Sequence, residues 1–201
     1  MARTQAPDSE SRRGQIVELA AQLFAERGFL GASISQIADA CGMSKSAIYH
    51  YYPSKEDILY DVMHSHVEML NVAAREALSR PAKPDQRLRD MTQKFMAAYT
   101  GAAARHKVLL NDLAHLPRAR RAKIVALQRN LIVMVEGVLQ DISPTLKSNS
   151  ALRRASVMIY FGMINWTHIW FDPNGALNAL EFAELAADIA LSGLKSGRRR
   201  N

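Results

Sequence analysis

The chain has 201 residues, 48% of them apolar, with 26 basic and 19 acidic side chains; that is enough to bury a core and too apolar to stay unfolded. A single cysteine, Cys41, excludes a disulfide framework and a cysteine-based zinc site. The net charge of +7 is not concentrated at the front, since residues 1–60 hold six basic and seven acidic groups, so bulk charge alone marks no DNA-binding end. The first ten residues, MARTQAPDSE, contain no apolar leader and no apolar run is long enough to span a bilayer. A soluble cytoplasmic protein with no membrane partner is expected.

In chain order, each segment reads as helix. After a tail of residues 1–8, with Asp8 as N-cap, Ile16, Leu19, Ala20, Leu23 and Phe24 recur on one amphipathic face, and Gly28 ends it. Ser33 and Gln36 have capping-box spacing at the start of a short helix reaching Cys41. Gly42 stops that helix, Ser44 can cap the next, and Pro53 ends it near Tyr52. A long helix then runs from about Ser54 to Ser79, and Pro81-Ala82-Lys83-Pro84 is a linker. Further helices are expected at about 85–104, 106–115, 118–142, 149–171 and 178–195. Pro117, Ser143-Pro144 and Asp172-Pro173-Asn174-Gly175 punctuate them. The expectation is an all-α chain of about nine helices, closed by a basic tail at 196–201.

The informative stretch begins at Ile34. Taken as position one of a helix-turn-helix, it puts apolar residues at positions 4, 8, 10, 15 and 18: Ile37, Cys41, Met43, Ile48 and Tyr51. Ala38 at position 5 lets the two helices approach closely, and Gly42 at position 9 can adopt the positive φ of the turn. A structural hairpin would meet several of these needs. What favours DNA is the opposite face of the second helix, where Lys45, Ser46, Tyr49 and His50 offer donors and a cation suited to the major groove. Ser33 and Lys55 stand at helix starts, where anions are attracted.

These residues resemble the DNA-binding domain of the TetR family of transcriptional regulators. The resemblance covers about residues 12–72 and rests on Ile16 to Phe29 (IVELAAQLFAERGF), on Ser35 to Ser44 (SQIADACGMS) and on Ala47 to Leu59 (AIYHYYPSKEDIL). It implies a three-helix DNA-binding domain at 9–57, joined by the long helix to a variable effector-binding and dimerisation domain at 58–195. It further implies a homodimer, in most cases a repressor, released by a small effector. Carried over by position, Tyr49 and Lys55 hold phosphates, while Lys45, Ser46 and His50 face base edges of a double-stranded operator. Ser33, Ser35, Ser44, Ala47 and Tyr51 complete the DNA-facing set. The chain departs from the family at Tyr52, where Phe is commoner; its hydroxyl is expected to be tolerable at a partly exposed site.

The resemblance assigns the last two helices to dimerisation. Apolar side chains surround the whole of 151–171, so burial on nearly all sides is expected. Tyr160, Phe161, Ile164, Phe182, Leu185 and Ile189 are the expected interface. A two-fold dimer would set two reading helices roughly 34–36 Å apart on a near-palindrome.

For the effector, Phe95, Tyr99, Leu113, Leu131, Met158, Trp166 and Trp170 are expected to line an apolar cavity. The basic residues Arg118, Arg120, Arg121, Lys123, Arg153 and Arg154 suit a phosphorylated handle; of these, Arg118, Arg121 and Arg154 are the expected ligand contacts. An apolar group with such a handle describes an acyl-CoA thioester. The segment Phe161 to Thr167 with Trp170 to Gly175 also resembles TetR regulators of fatty-acid, aromatic-acid and sterol catabolism, which sense such thioesters. A free hydrophobic molecule with control of efflux is the other effector considered. No cofactor or metal is expected. An enzyme is disfavoured, because Ser192 and Lys195 share an S-x-x-K spacing without companion motifs, and no G-x-S-x-G, P-loop or G-x-G-x-x-G occurs. A helical interaction module would leave Lys45, Tyr49 and His50 without a role.

Overall fold

The computed structural model describes residues 5–196; residues 1–4 and the basic tail from residue 197 onward lie outside them. The described residues form α-helices and one 3-10 turn, with no strand. The helices are α1 (Gln5–Gly31), α2 (Ile34–Cys41), α3 (Lys45–Tyr51), α4 (Lys55–Ser79), α5 (Pro84–Gly101) and α6 (Ala103–Asn111). After the 3-10 turn Leu113–His115 come α7 (Arg118–Ile142), α8 (Thr145–Ser148), α9 (Ser150–Asn165), α10 (Thr167–Trp170) and α11 (Ala179–Ser196).

Local signals set most boundaries. The backbone of α1 leaves helical geometry at Gly28, φ 71° and ψ 160°, where only glycine is unstrained. Pro84 opens α5 with its φ already helical and no amide proton to orphan. Three expectations need correction. The first helix begins at Gln5, so Asp8 lies inside it instead of capping it. The helix expected at 106–115 stops at Asn111 and continues as the 3-10 turn. The helix expected at 149–171 breaks at Trp166, where Thr167 Oγ1 donates to Ile164 O and His168 Nδ1 meets Asn165 O. Side chains that bond nearby carbonyls compete with the helical ladder.

The chain divides into two compact units. The first joins residues up to Val67 with Ala104–Val125, and the second joins Glu68–Ala103 with Ala126 onward. The division therefore does not fall at 57/58, and the segment 104–125 groups with the head instead of the effector half. Long-range contacts inside the first unit explain this. Arg105 pairs with Glu18 at 2.7 Å, Asp112 accepts from the Phe29 amide at 3.3 Å, and Arg120 pairs with Asp57. The core of this unit is Ile16, Ala20, Phe24, Ile37, Ile48, Ile58, Leu59, Val62 and Met63, all essentially inaccessible.

The second unit packs Leu88, Met91, Phe95 and Met96 of α5 against Val135, Leu139, Tyr160, Ile164, Phe182 and Ala186. Its α5–α11 contact is edged by charge: Arg89 pairs with Glu184 at 2.7 Å and with Asp188, and Lys195 pairs with Asp85.

Candidate nucleic-acid interface

The turn between α2 and α3 is built as its residues require. Ser33 caps α2 by accepting from the Gln36 amide at 3.2 Å, while Gln36 Oε1 accepts from the Ser33 amide at 2.9 Å. Gly42 takes the left-handed conformation, φ 63° and ψ 33°, and its backbone N–H closes α2 onto Ala38 and Asp39. Ser44 caps α3 through the Ala47 amide at 3.1 Å. Ile37, Ala38, Cys41 and Ile48 are buried between the helices, which leaves the other side of α3 outward. Burial raises the Cys41 thiol pKa.

Lys45, Ser46, Tyr49 and His50 are all exposed on that side, together with Ser33, Ser35 and Ser44; Ala47 and Tyr51 are half-buried. Tyr49 keeps 44% of its surface exposed. The serines have prior engagements: Ser33 belongs to its capping box, and Ser44 Oγ lies 2.9 Å from Ser46 Oγ. Lys55 departs most from expectation. Its ammonium donates to Phe29 O and to Ala32 O, both at 2.7 Å, and lies 4.2 Å from the Phe29 ring centroid. It fastens α4 to the end of α1, so two of its three N–H donors are already committed.

Tyr52 also corrects its expectation. It is 1% exposed, and its hydroxyl donates to Asp61 Oδ2 at 2.9 Å. Burial, then the Asp61 charge, raise the phenol pKa well above the usual tyrosine range. Arg13, absent from the expected site, donates to that same carboxylate oxygen at 2.9 Å and to the Tyr51 carbonyl at 3.1 Å. The signal available in sequence was the tyrosine itself, because a buried hydroxyl demands a partner.

In the second unit part of the expected dimer set is buried and part of the expected ligand set is exposed. Tyr160, Phe161, Ile164 and Phe182 are buried within their own chain and offer no area to a partner. Leu185 and Ile189 are exposed, as an interface needs. Met158, Trp166 and Trp170, expected around the effector, face outward instead, Trp166 with 62% of its surface exposed. The cause is register: α9 is apolar on every side, and the in-chain core takes the 157, 160, 161, 164 face. Phe95, Tyr99 and Leu131 do share one core. Polar atoms enter it as Thr92 Oγ1 with Tyr160 OH at 2.9 Å and Tyr99 OH donating to Asn165 at 2.7 Å. Leu113, Arg118 and Arg121 belong to the first unit, and Arg154 to the second. Arg118, Arg121 and Arg154 are exposed, whereas Arg120 and Arg153 are ion-paired to Asp57 and Glu136. An apolar groove of about 280 Å³ opens between α7, α9 and α11, lined by Leu139, Ile159, Met163, Ile189 and Leu194 among others.

Comparison with known proteins converges on one family. A family model described as bacterial regulatory proteins, tetR family, matches residues 16–62, and one described as tetracyclin repressor-like, C-terminal domain, matches residues 81–194. The chain is 27% identical to the HTH-type transcriptional repressor KstR2 of Mycobacterium tuberculosis over 92% of this chain and 93% of that protein. A TetR-family transcriptional regulator from Bordetella parapertussis 12822 superposes with a TM-score of 0.86 at 36% identity, covering 89% of this chain and 93% of that one. The structure of AibR in complex with isovaleryl coenzyme A and operator DNA superposes with a TM-score of 0.76 at 27% identity, over 91% and 97% of the two chains.

Proposed function

The chain belongs to the TetR family of bacterial transcriptional regulators, and from that premise we propose that it is a homodimeric repressor released from a near-palindromic operator by an acyl-CoA thioester. As a family member it is a DNA-binding regulator, not an enzyme. No helix among the described residues is long and apolar enough to cross a membrane.

The observation that carries the operator reading is the outward face of α3. Lys45, Tyr49 and His50 stand exposed on a seven-residue helix whose own packing uses Ile48. A short helix offering those groups fits a major groove, with Tyr49 reaching a phosphate and Lys45 and His50 reaching base edges. The dimer is supported by apolar side chains left uncovered in one chain. Leu152, Ile159 and Trp166 are seven apart and all exposed, as are Leu180, Leu185 and Ile189 of α11. Single chains rarely leave so much apolar surface in water, and a seven-residue repeat suits a partner helix.

The thioester is supported by the relative crystallised with isovaleryl coenzyme A and, within the second unit, by the exposed Arg154 as a cation for its phosphates. The Thr92–Tyr160 pair and the bond from Tyr99 to half-buried Asn165 bring polar atoms to the second unit's apolar core, where they would meet an acyl group. An effector acts only through its different affinity for the DNA-competent and incompetent states. Coupling of about 1–3 kcal/mol would weaken operator binding roughly 5- to 150-fold. The chain passes from one unit to the other within α4, at the start of α6 and within α7, and these are the covalent routes for that coupling.

The test is fluorescence anisotropy with a DNA fragment from upstream of the gene, titrated with short-chain acyl-CoAs, the matching free acids and coenzyme A alone. Release by a thioester and not by its acid is expected. Release by the free acid alone turns the effector into a hydrophobic small molecule, and failure to prefer the fragment over random duplex ends the operator reading. Substituting Tyr49→Ala should weaken binding to both duplexes and reduce the slope of log affinity against log salt by about 0.9, as loss of one phosphate contact does.

A further inference from the structure

We propose that Arg13 and Asp61 are positioning residues for DNA reading: with the Tyr52 hydroxyl they form a latch that fixes the C-terminal end of α3 on α4. The latch rests only on the DNA-binding part of the reading above, not on the effector.

The need for it follows from how little holds α3. Of its seven residues only Ile48 is fully buried, with Ala47 and Tyr51 half-buried, so apolar packing alone constrains the tilt of this short helix weakly. Binding constellations tolerate displacement of only about 10–20° before contacts are lost. At the far end of α3, three elements meet through polar groups. The Arg13 guanidinium, from α1, donates one N–H to the Tyr51 carbonyl at 3.1 Å and another to Asp61 Oδ2 at 2.9 Å. Tyr52, which caps α3, donates its hydroxyl to the same oxygen of Asp61, on α4, at 2.9 Å. The guanidinium also sits 4.4 Å from the Tyr52 ring centroid.

An arginine fork suits this geometry. Its donors are fixed in one plane, so satisfying a carbonyl and a carboxylate together sets an angle as well as a distance. As an ion pair alone, Arg13–Asp61 would contribute little, being 45% and 32% exposed. The Tyr52 hydroxyl adds to that, because Asp61 is the acceptor of its part-buried hydrogen bond and removing the carboxylate removes that acceptor. Beside the latch lies an open cleft of about 600 Å³, lined by Arg13, Tyr52, Asp61, His64 and Arg105 among others. The pose of Arg13 is thus set by these polar partners and not by enclosure.

The experiment compares Arg13→Gln, Arg13→Lys, Asp61→Ala, Tyr52→Phe and the Arg13→Gln/Asp61→Ala double variant. Anisotropy against the upstream fragment and against random duplex, across salt concentrations, is read beside hydrogen exchange of the free full-length protein. The latch predicts that Arg13→Gln and Asp61→Ala each lose roughly 3- to 30-fold in affinity for the upstream fragment, and that the double variant is no worse than the worse single. Random-duplex affinity and salt slope should stay at wild-type values. Tyr52→Phe, which keeps the ring, should show a smaller loss of the same kind. Arg13→Lys keeps the charge but cannot fork, so it should resemble Arg13→Gln; full rescue by lysine overturns the latch. A salt slope shallower by about 0.9 in Arg13→Gln makes Arg13 a phosphate contact and overturns it too. In the free protein, the Tyr52 amide, which bonds Ile48 O, should exchange severalfold faster in every variant, while α2 amides keep their rate. Unchanged exchange at Tyr52 overturns the proposal even if the wild type ignores the upstream fragment, an outcome that would sink the operator reading alone.

Discussion

Lys55 shows how a side chain with the right charge in the right place can serve a different master. Its ammonium lies against two backbone carbonyls at the end of α1 and over the Phe29 ring, so its removal should cost stability before it costs DNA affinity. Lys55→Met is expected to lower the unfolding free energy by about 1–3 kcal/mol, the range for losing charged hydrogen bonds, measured by urea denaturation without DNA. A variant of unchanged stability that binds all DNA more weakly would restore the phosphate role. A second residue-scale prediction concerns His66, fully buried on α4 with its Nε2 3.1 Å from His106 Nδ1. Burial, then the Arg105 charge, push its pKa down to about 4. The unfolded chain binds this proton near pH 6.5 and the folded chain does not, so the head is fully stable above that pH and loses stability between pH 6.5 and 4. From pH 7 to 5 the unfolding free energy should fall by about 2 kcal/mol, and His66→Asn should flatten that dependence. Wild-type stability constant across those two pH values would show the ring staying neutral in neither state.

At the scale of elements, what could be read from sequence was what the chain decides locally. The capping box at Ser33, the serine cap at Ser44 and the stop before Pro53 each involve residues within four positions of one another, and each forms as expected. Gly42 belongs to that group. Its φ of 63° means that Gly42→Ala should destabilise the head by about 1–2 kcal/mol, with a lower thermal midpoint and weaker operator binding together. An unaffected midpoint would mean that the turn relaxes. What could not be read was decided by partners distant in sequence. The grouping of residues 104–125 with the head depends on Arg105 meeting Glu18 and Asp112 meeting Phe29, 87 and 83 positions apart, and no periodicity reports such pairs. Likewise α9, apolar on all sides, carries no pattern that separates an inward face from an outward one. That is why the pattern places Tyr160 at an interface and Trp166 around a ligand, whereas three-dimensional packing buries the first and exposes the second.

At the scale of the whole molecule, the proposed dimer would have to rest on those outward faces. Ile159 and Ile189 are exposed by 64% and 54% in the single chain, on different helices but both lining the apolar groove. Each would remove roughly 2 kcal/mol worth of apolar surface from water on association, and a two-fold axis doubles that by symmetry. Placing charge there reverses the balance without touching either unit's core, because neither side chain contributes to it. The Ile159→Glu/Ile189→Glu variant should therefore sediment as a 22.4 kDa species, where the proposed dimer predicts twice that mass for the wild type, and should keep its helical circular dichroism. Two linked heads reading half-sites about one helical turn apart gain from each other's presence, so the monomer should lose at least tenfold in affinity for a two-half-site fragment while its weak affinity for a single half-site is unchanged. A variant that stays dimeric would place the interface on another face, and a monomer that still holds the full fragment as tightly as wild type would remove the dimer from the mechanism of repression.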